Sequence, residues 1–477
     1  MARDALVVAL LLGAGCVPAL TDNPPRDVAL SLPKAFTAGE AEAPATASLA
    51  TRTWASFFDD PALQRLIAEA LEHNQELSLA LQELVIANAE VGARRGEYLP
   101  RLEAGVDTGL EKVGAFSSQG FSDRATGVPE HLGRFGFGLR ASWEVDVWGR
   151  LRNAASAAQL RAEASAEARH FLVTQLVAEV ARSYYELLAL DAQLEVLERN
   201  VKTQTDALEV VKLEKQAARV SELAVQRFEA EVANTRSRRF ALEQQRVQTE
   251  NRVNFLLGRF PQPVPRDARG LVSPLPVAAD TGVPAALLEH RPDVRRAMKG
   301  LEAAKLDVAV ARAGFFPALS VNAAVGYDAF NLTHLVSTPE SLVYNLAGNL
   351  VAPLLNRAAI EAQYRSANAR QLQAVVTWER TVLQAFTDVV NQLAQLDNLS
   401  KTNALKARQV ATLDEAVSVS NVLFQSARAD YMEVLLTRRD ALEAQLELIE
   451  TQKRLQVAKV DLYQALGGGW RDAPTTR

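Results

Sequence analysis

Two hydrophobic periods alternate along this chain. Between Leu102 and Leu110 the even positions, Leu102, Ala104, Val106, Thr108 and Leu110, face the odd ones, Glu103, Gly105, Asp107 and Gly109. From Arg134 the odd positions Phe135, Phe137, Leu139, Ala141, Trp143, Val145 and Val147 alternate with Gly136, Gly138, Arg140, Ser142, Glu144 and Asp146. Leu319, Val321, Ala323, Val325 and Tyr327 repeat the pattern, as do Leu342, Tyr344, Leu346 and Leu350. A period of two predicts strands, so the chain holds two hairpins. Their connections, Gly114 to Gly133 and Phe330 to Glu340, are rich in Gly, Ser, Asn and Pro and read as exposed loops. Strands of this length with one apolar and one charged or small face fit a membrane barrel or a half-buried soluble sheet. A membrane barrel needs about eight strands or more, so four can close one only if several chains share it.

The second period is helical. Neither Gly nor Pro occurs from Arg150 to Leu257 or from Leu354 to Leu466, although the chain holds 24 and 19 of them. Apolar residues recur three or four apart, at Leu176, Val180, Tyr184, Leu187 and Leu188 and again at Val382, Phe386, Val389, Val390 and Leu393. Such stripes demand partner helices. A single rod of a hundred residues would reach roughly 150 Å, so each stretch is expected to fold back as a hairpin of about 100 Å or less. The turns are expected at Ala218–Ser221 and Ala427–Asp430, with Ser221 and Asp430 as helix N-caps.

The chain is a duplicated design. Leu71–Leu102 matches Leu288–Leu319 without gaps, pairing His73 with His290, Leu84 with Leu301, Arg95 with Arg312 and Pro100 with Pro317. Leu257-Gly258 likewise answers Leu466-Gly467. A repeat of about two hundred residues is too long for a solenoid and points to two fused halves of a pseudo-symmetric assembly. The expected organisation is a signal and lipidation segment at 1–16, an N-terminal segment at 17–60, a first repeat at 61–285, a second at 286–467 and a tail at 468–477. The first repeat comprises a helix, a β-hairpin at 99–148, a helical hairpin at 149–258 and a Pro-rich linker at 261–284. The second holds a β-hairpin at 316–355 and a helical hairpin at 356–466.

Composition narrows the function. A net charge of -5 with both signs interspersed offers no field for nucleic acid. No apolar run beyond the N-terminus approaches the roughly 20 residues of a spanning helix, so any membrane crossing uses strands. Arg3 and the apolar run Ala5 to Leu12 read as an export signal ending near Cys16, the only cysteine. Leu12-Gly13-Ala14-Gly15-Cys16 resembles a lipoprotein cleavage box, with its large apolar residue four rather than three positions before the cysteine. An ordinary secretory signal with an incidental cysteine is the alternative. His73, His131, His170, His290 and His334 are scattered without ligand spacing, and no phosphate-cradling loop occurs, so no metal, cofactor or catalytic residue is expected.

Three motifs carry a family resemblance: Trp143-Glu-Val-Asp-Val-Trp-Gly-Arg150, His290-Arg-Pro-Asp-Val294 leading to Ala313-Gly-Phe-Phe-Pro317, and Leu462-Tyr-Gln-Ala-Leu-Gly-Gly-Gly-Trp470. With the duplication, the chain resembles the TolC-like outer membrane efflux proteins over nearly its whole mature length. The resemblance is to the lipid-anchored branch serving resistance-nodulation-division (RND) pumps. It implies an α+β fold in which long helical hairpins form a coiled-coil barrel. Four strands per chain contribute to a homotrimeric twelve-stranded transmembrane barrel. It also implies a location in the outer membrane of a Gram-negative bacterium, lipid-anchored through Cys16, and no enzymatic activity. The implied partners are a periplasmic membrane-fusion adaptor, an inner-membrane RND-type pump and outer-membrane lipid. The segments Val17–Ala50 and Pro261–Pro284 and the tail after Gly467 would wrap the middle of the tunnel.

The resemblance places adaptor docking at the tip residues Arg219, Val220, Ser221, Glu222, Leu223, Ala429 and Tyr431, and a periplasmic gate at Glu433, Asp430 and Arg428. The family usually has glycine where this chain has Ala218 and Ala427, and a second carboxylate where it has Leu436. Glu433 aligns with a family gate position. Three copies would ring the axis with like charge, whereas a glutamate on a long helix is otherwise simply solvated. Glu103, Asp107, Arg140, Glu144 and Asp146 would line a water-filled lumen. The competing functions are a type I protein-secretion duct of the same fold and a non-transport coiled-coil tether without conductance.

Overall fold

The computed structural model describes residues 17–21, 23–29, 32–33, 35–36, 49–267, 271, 284–355, 357–426 and 428–471. Cys16, Ala427, most of the Pro-rich linker and the end of the tail therefore lie outside the described residues. The helices are α1 (Trp54–Phe57), α2 (Pro61–His73), α3 (Gln75–Glu97), α4 (Ser118–Thr126), α5 (Arg150–Gln216), α6 (Glu222–Leu256), α7 (Ala286–His290), α8 (Pro292–Ala313), α9 (Ala358–Gln425) and α10 (Tyr431–Ala465). The strands are β1 (Arg101–Glu111), β2 (Leu132–Val145), β3 (Ala318–Ala329) and β4 (Leu342–Val351). The chain divides into two compact units, with the divisions falling inside α3, α5, α8 and α9.

One unit holds Leu84–Ala164 and Met298–Thr377. Its centre is one antiparallel sheet in the order β1-β2-β3-β4. The register sets Val106 opposite Phe137, Phe137 opposite Tyr327 and Val325 opposite Tyr344, so the predicted apolar faces of all four strands coincide. Phe137 and Tyr327 stack with centroids 5.4 Å apart. On the other face Gly105, Gly138 and Gly326 form one cross-strand row. A Cβ on Gly138 would sit 2.5 Å from the Val325 carbonyl oxygen, and one on Gly326 would sit 2.4 Å from that of Phe137. The backbones approach where a side chain has no room. Trp148 closes the base of the sheet: its indole donates to the Pro317 carbonyl at 2.8 Å and stacks on Phe316 at 4.7 Å.

The connection between β1 and β2, expected as plain loop, contains helix α4. Ser117 accepts from the Gly120 amide at 3.1 Å, and Gly127 ends the helix in the left-handed conformation. A start signal and a stop signal ten residues apart thus overrode the glycine and serine content that reads as loop.

The second unit holds Ala29–Glu83, Ser165–Ala297 and Trp378–Arg477. The Asp60 carboxylate accepts from the Ala62 and Leu63 amides and caps α2 ahead of Pro61. Its other oxygen takes the Tyr184 hydroxyl at 2.6 Å. Phe57 stacks on Tyr463 at 4.1 Å, and both are buried. Arg291 ties the second repeat together: its guanidinium pairs with Asp293 at 2.7 Å and Asp388 at 3.2 Å, and donates to the Ala465 carbonyl. The Trp470 indole donates to the His290 carbonyl at 3.2 Å. Burial, Arg471 and Arg295 push the His290 imidazole below its ordinary pKa, which fits a packing role.

Candidate channel lining and hairpin tips

Each long hairpin turns where its sequence predicts. Helix α5 ends in a cap in which the Arg219 amide donates to the Glu214 carbonyl and the Ala218 amide to that of Lys215, both at 2.9 Å. This pattern requires a left-handed residue after the last helical turn, and Ala218 supplies it with φ +56°. The turn is therefore the one a glycine would make, held by an alanine. At the second tip the Arg428 amide reaches back to the Leu423 carbonyl at 2.8 Å, the same long bond.

Ser221 and Asp430 occupy the N-cap positions of α6 and α10 with extended backbones, but neither side chain makes a capping hydrogen bond. The backbone half of that expectation stands and the side-chain half does not. Both side chains point to solvent, where water competes for the same helix-end donors.

The two tips lie together. Buried Leu208, Val211, Ala224, Val225, Phe228 and Val232 form a cluster inside the first hairpin, and Tyr431 and Leu435 of the second pack on it with Val220. Arg219, Ser221, Glu222 and Leu223 are exposed, with Glu222 paired to Lys215. Arg428 is exposed and Ala429 half-buried. Tyr431 and Val220 are thus packing residues as much as surface ones.

Glu433 sits exposed in the first turn of α10, its amide bonded to the Asp430 carbonyl at 3.1 Å. Leu436, 41 % exposed, follows one turn on, and Asp440 and Glu443 continue the exposed face. A ring built from this face presents carboxylates with one apolar layer between them.

In the sheet, Glu103 lies opposite Arg140, which forms its ion pair with Asp107. Arg134 pairs with Asp328 at 3.0 Å and Arg150 with Glu144 at 2.7 Å. Opposite charges thus neutralise one another along the polar face. Asp146 departs from the expected lining. Its buried carboxylate accepts from the Leu151 and Arg152 amides at 3.1 and 2.9 Å, capping the start of α5. Burial opposes its ionisation, but those amides and the Arg152 guanidinium hold its carboxyl below the usual range.

Sequence reasoning passed over two features. Val210 and Leu213 on α5 are 51 % and 64 % exposed, and Val419 and Val422, each 209 positions later on α9, are 51 % and 62 % exposed. Taking the offset from one tip to the other would have found this repeated apolar pair. Arg438 gives its Nη2 to Asn421 at 2.7 Å, while Nε and Nη1 are buried without a protein partner. Burial lowers its pKa, and only the packing of α5, α9 and α10 around it, invisible in sequence, produces that environment. Among the described residues no group of His, Cys, Asp and Glu is arranged to hold a metal, and no helix is long and apolar enough to cross a membrane.

The model of the outer membrane efflux protein family matches residues 66–259 and 283–468. The cation efflux system protein CusC of Escherichia coli O6:H1 is 28 % identical over 421 residues, 88 % of each chain. The pyoverdine export outer membrane protein OpmQ of Pseudomonas aeruginosa is 30 % identical over 466 residues, 97 % of this chain and 95 % of its own. The open-state MtrE outer membrane channel of Neisseria gonorrhoeae superposes with a TM-score of 0.80 at 25 % identity, over 93 % of this chain and 99 % of its own. A CusC crystal structure gives 0.82 at 25 % identity, over 94 % and 99 %.

Proposed function

The chain belongs to the outer membrane efflux protein family and is a trimeric outer-membrane channel of a tripartite efflux pump; from that premise we propose that its paired hairpin tips form a gate and docking collar for an adaptor. Closure of the barrel follows from the edges β1 and β4, whose outer backbone groups need the neighbouring chains as partners. The observation that carries the gate is the exposed face Glu433–Leu436 beside the packed tips. Three Glu433 carboxylates around the axis favour cations and repel one another, so the ring resists closure and narrows selectivity.

Docking by a periplasmic adaptor, itself fed by an RND-type pump, is supported by the tip residues Arg219, Leu223 and Arg428 and by the repeated apolar pair above each tip. Relatives are named for exporting cations and pyoverdine. A duct whose polar lining is internally neutralised passes such different cargo without choosing it. Anchoring through Cys16 is the reading its sequence context supports, and a relative from Salmonella typhimurium, SilC, 28 % identical, is named a probable outer membrane lipoprotein.

The test is single-channel conductance in planar bilayers, wild type beside Glu433→Ala. A cation-favouring current that loses its preference in the variant supports the gate. Unchanged selectivity moves the gate elsewhere on the tips.

A further inference from the structure

The two hairpins carry a repeated cross-link between their arms, and only one copy of it is balanced in charge. In the first hairpin Lys212 of α5 lies 3.8 Å from Glu229 of α6. The residues 209 positions later are Asn421 of α9 and Arg438 of α10, joined at 2.7 Å. The second copy keeps one cation, on the opposite arm, and has an amide where the partner charge would be.

The surroundings of the two copies differ as well. Lys212 and Glu229 have side chains 39 % and 53 % exposed, so water solvates both. Arg438 is partly buried, with Nε and Nη1 closed off from solvent and without an acceptor. No carboxylate among the described residues pairs with it, and its pKa is moved by burial, downward. A desolvated cation without a counter-charge is costly, and an anion that can approach it relieves the cost.

Arg438 lines an open cleft of about 600 Å³ between α5, α9 and α10. The acids of that cleft are engaged elsewhere: Asp414 accepts from Gln445 at 2.8 Å, and Glu195 lies 4.0 Å from Arg199. On the α5 wall the side-chain oxygen of Asn200 is also buried and lacks a donor. A small oxyanion that carries a proton answers both needs. Its oxygens accept from the guanidinium, which Asn421 holds through one nitrogen only, and its hydroxyl donates to Asn200.

We propose that this cleft binds one inorganic hydrogen phosphate ion per chain, Arg438 supplying the charge and Asn200 the acceptor for the ion's proton. The site lies among helices of a single chain and does not rest on the gate at Glu433.

Isothermal titration of inorganic phosphate into the full chain in detergent, with ionic strength held by sodium chloride, is expected to show one site per chain. Arg438→Gln removes the charge. Asn421→Asp gives the guanidinium an internal counter-charge, as Glu229 gives one to Lys212. Each is expected to weaken phosphate binding by about tenfold or more. Without phosphate, Asn421→Asp should melt above the wild type, and added phosphate should narrow the gap. Arg408→Gln removes an exposed charge outside the cleft and should bind as the wild type does. Sulfate, which carries no proton at neutral pH, should bind about fivefold more weakly than phosphate. A folded wild type that binds no phosphate overturns the site. Binding that survives in Asn421→Asp, or in a folded Arg438→Gln, overturns the assignment to Arg438 and the site with it. Sulfate bound as tightly as phosphate overturns the part given to Asn200.

Discussion

Substituting Gly258 by alanine tests how the hairpins are anchored. Helix α6 ends with the Gly258 amide donating to the Phe255 carbonyl and the Arg259 amide to that of Asn254, both at 3.0 Å, with Gly258 at φ +68°. An alanine there is left-handed at a cost of about 1–2 kcal/mol. Its Cβ would also meet the His73 carbonyl oxygen at 2.3 Å, so backbone must move, adding about 1–3 kcal/mol. Stiffening of the unfolded chain returns about 0.4–1 kcal/mol, leaving a net loss of about 1–5 kcal/mol. Ala218→Gly is the mirror experiment. It relieves the left-handed strain at an exposed site and forfeits only the unfolded-state term, a gain of about 0.5 kcal/mol. Thermal melting followed by far-ultraviolet circular dichroism, at one protein concentration because an oligomer's Tm depends on it, reads both. A Gly258→Ala protein melting at or above the wild type, or an Ala218→Gly protein melting well below it, would refute the reasoning.

Asp146→Ala removes the cap from α5 and is expected to cost about 1–2 kcal/mol at neutral pH. Because the folded carboxyl lies below its unfolded value, the stabilisation is complete above that unfolded value, near 3.9 in model peptides, and is lost as pH falls through the folded one; the melting difference should therefore shrink in acid. Arg266→Ala removes the shorter ion pair of Asp191, which keeps Arg246 at 3.9 Å, and the partner of Glu250, and should destabilise by about 2–3 kcal/mol; a variant melting with the wild type would contradict the ion-pair account. Cys16→Ser is expected to abolish metabolic labelling by palmitate while leaving the trimer assembled, and persistent labelling would rule out Cys16 as the anchor.

The strands were legible because alternation survives translation into a sheet: Phe137, Tyr327 and Val325 lie on the face their positions foretold. The long helices were legible because nothing in them could stop a helix, and the tips because the two copies place them at equivalent positions. Helix α4 was missed because its capping pair, Ser117 and Gly127, sits in a composition that otherwise reads as loop. Asp146 was misplaced because alternation carries on past the end of β2, whereas the chain there has already turned to cap α5.

The sequence by itself determined the family, the duplication, the four strands and the two hairpins, since each rests on local periodicity or on one stretch matching another. Only the tertiary structure decided which copies of a repeated position are covered. Val196 and Leu405 are equivalent in sequence, yet one is buried and the other bare, because burial depends on what packs against the helix and not on the residue's own pattern.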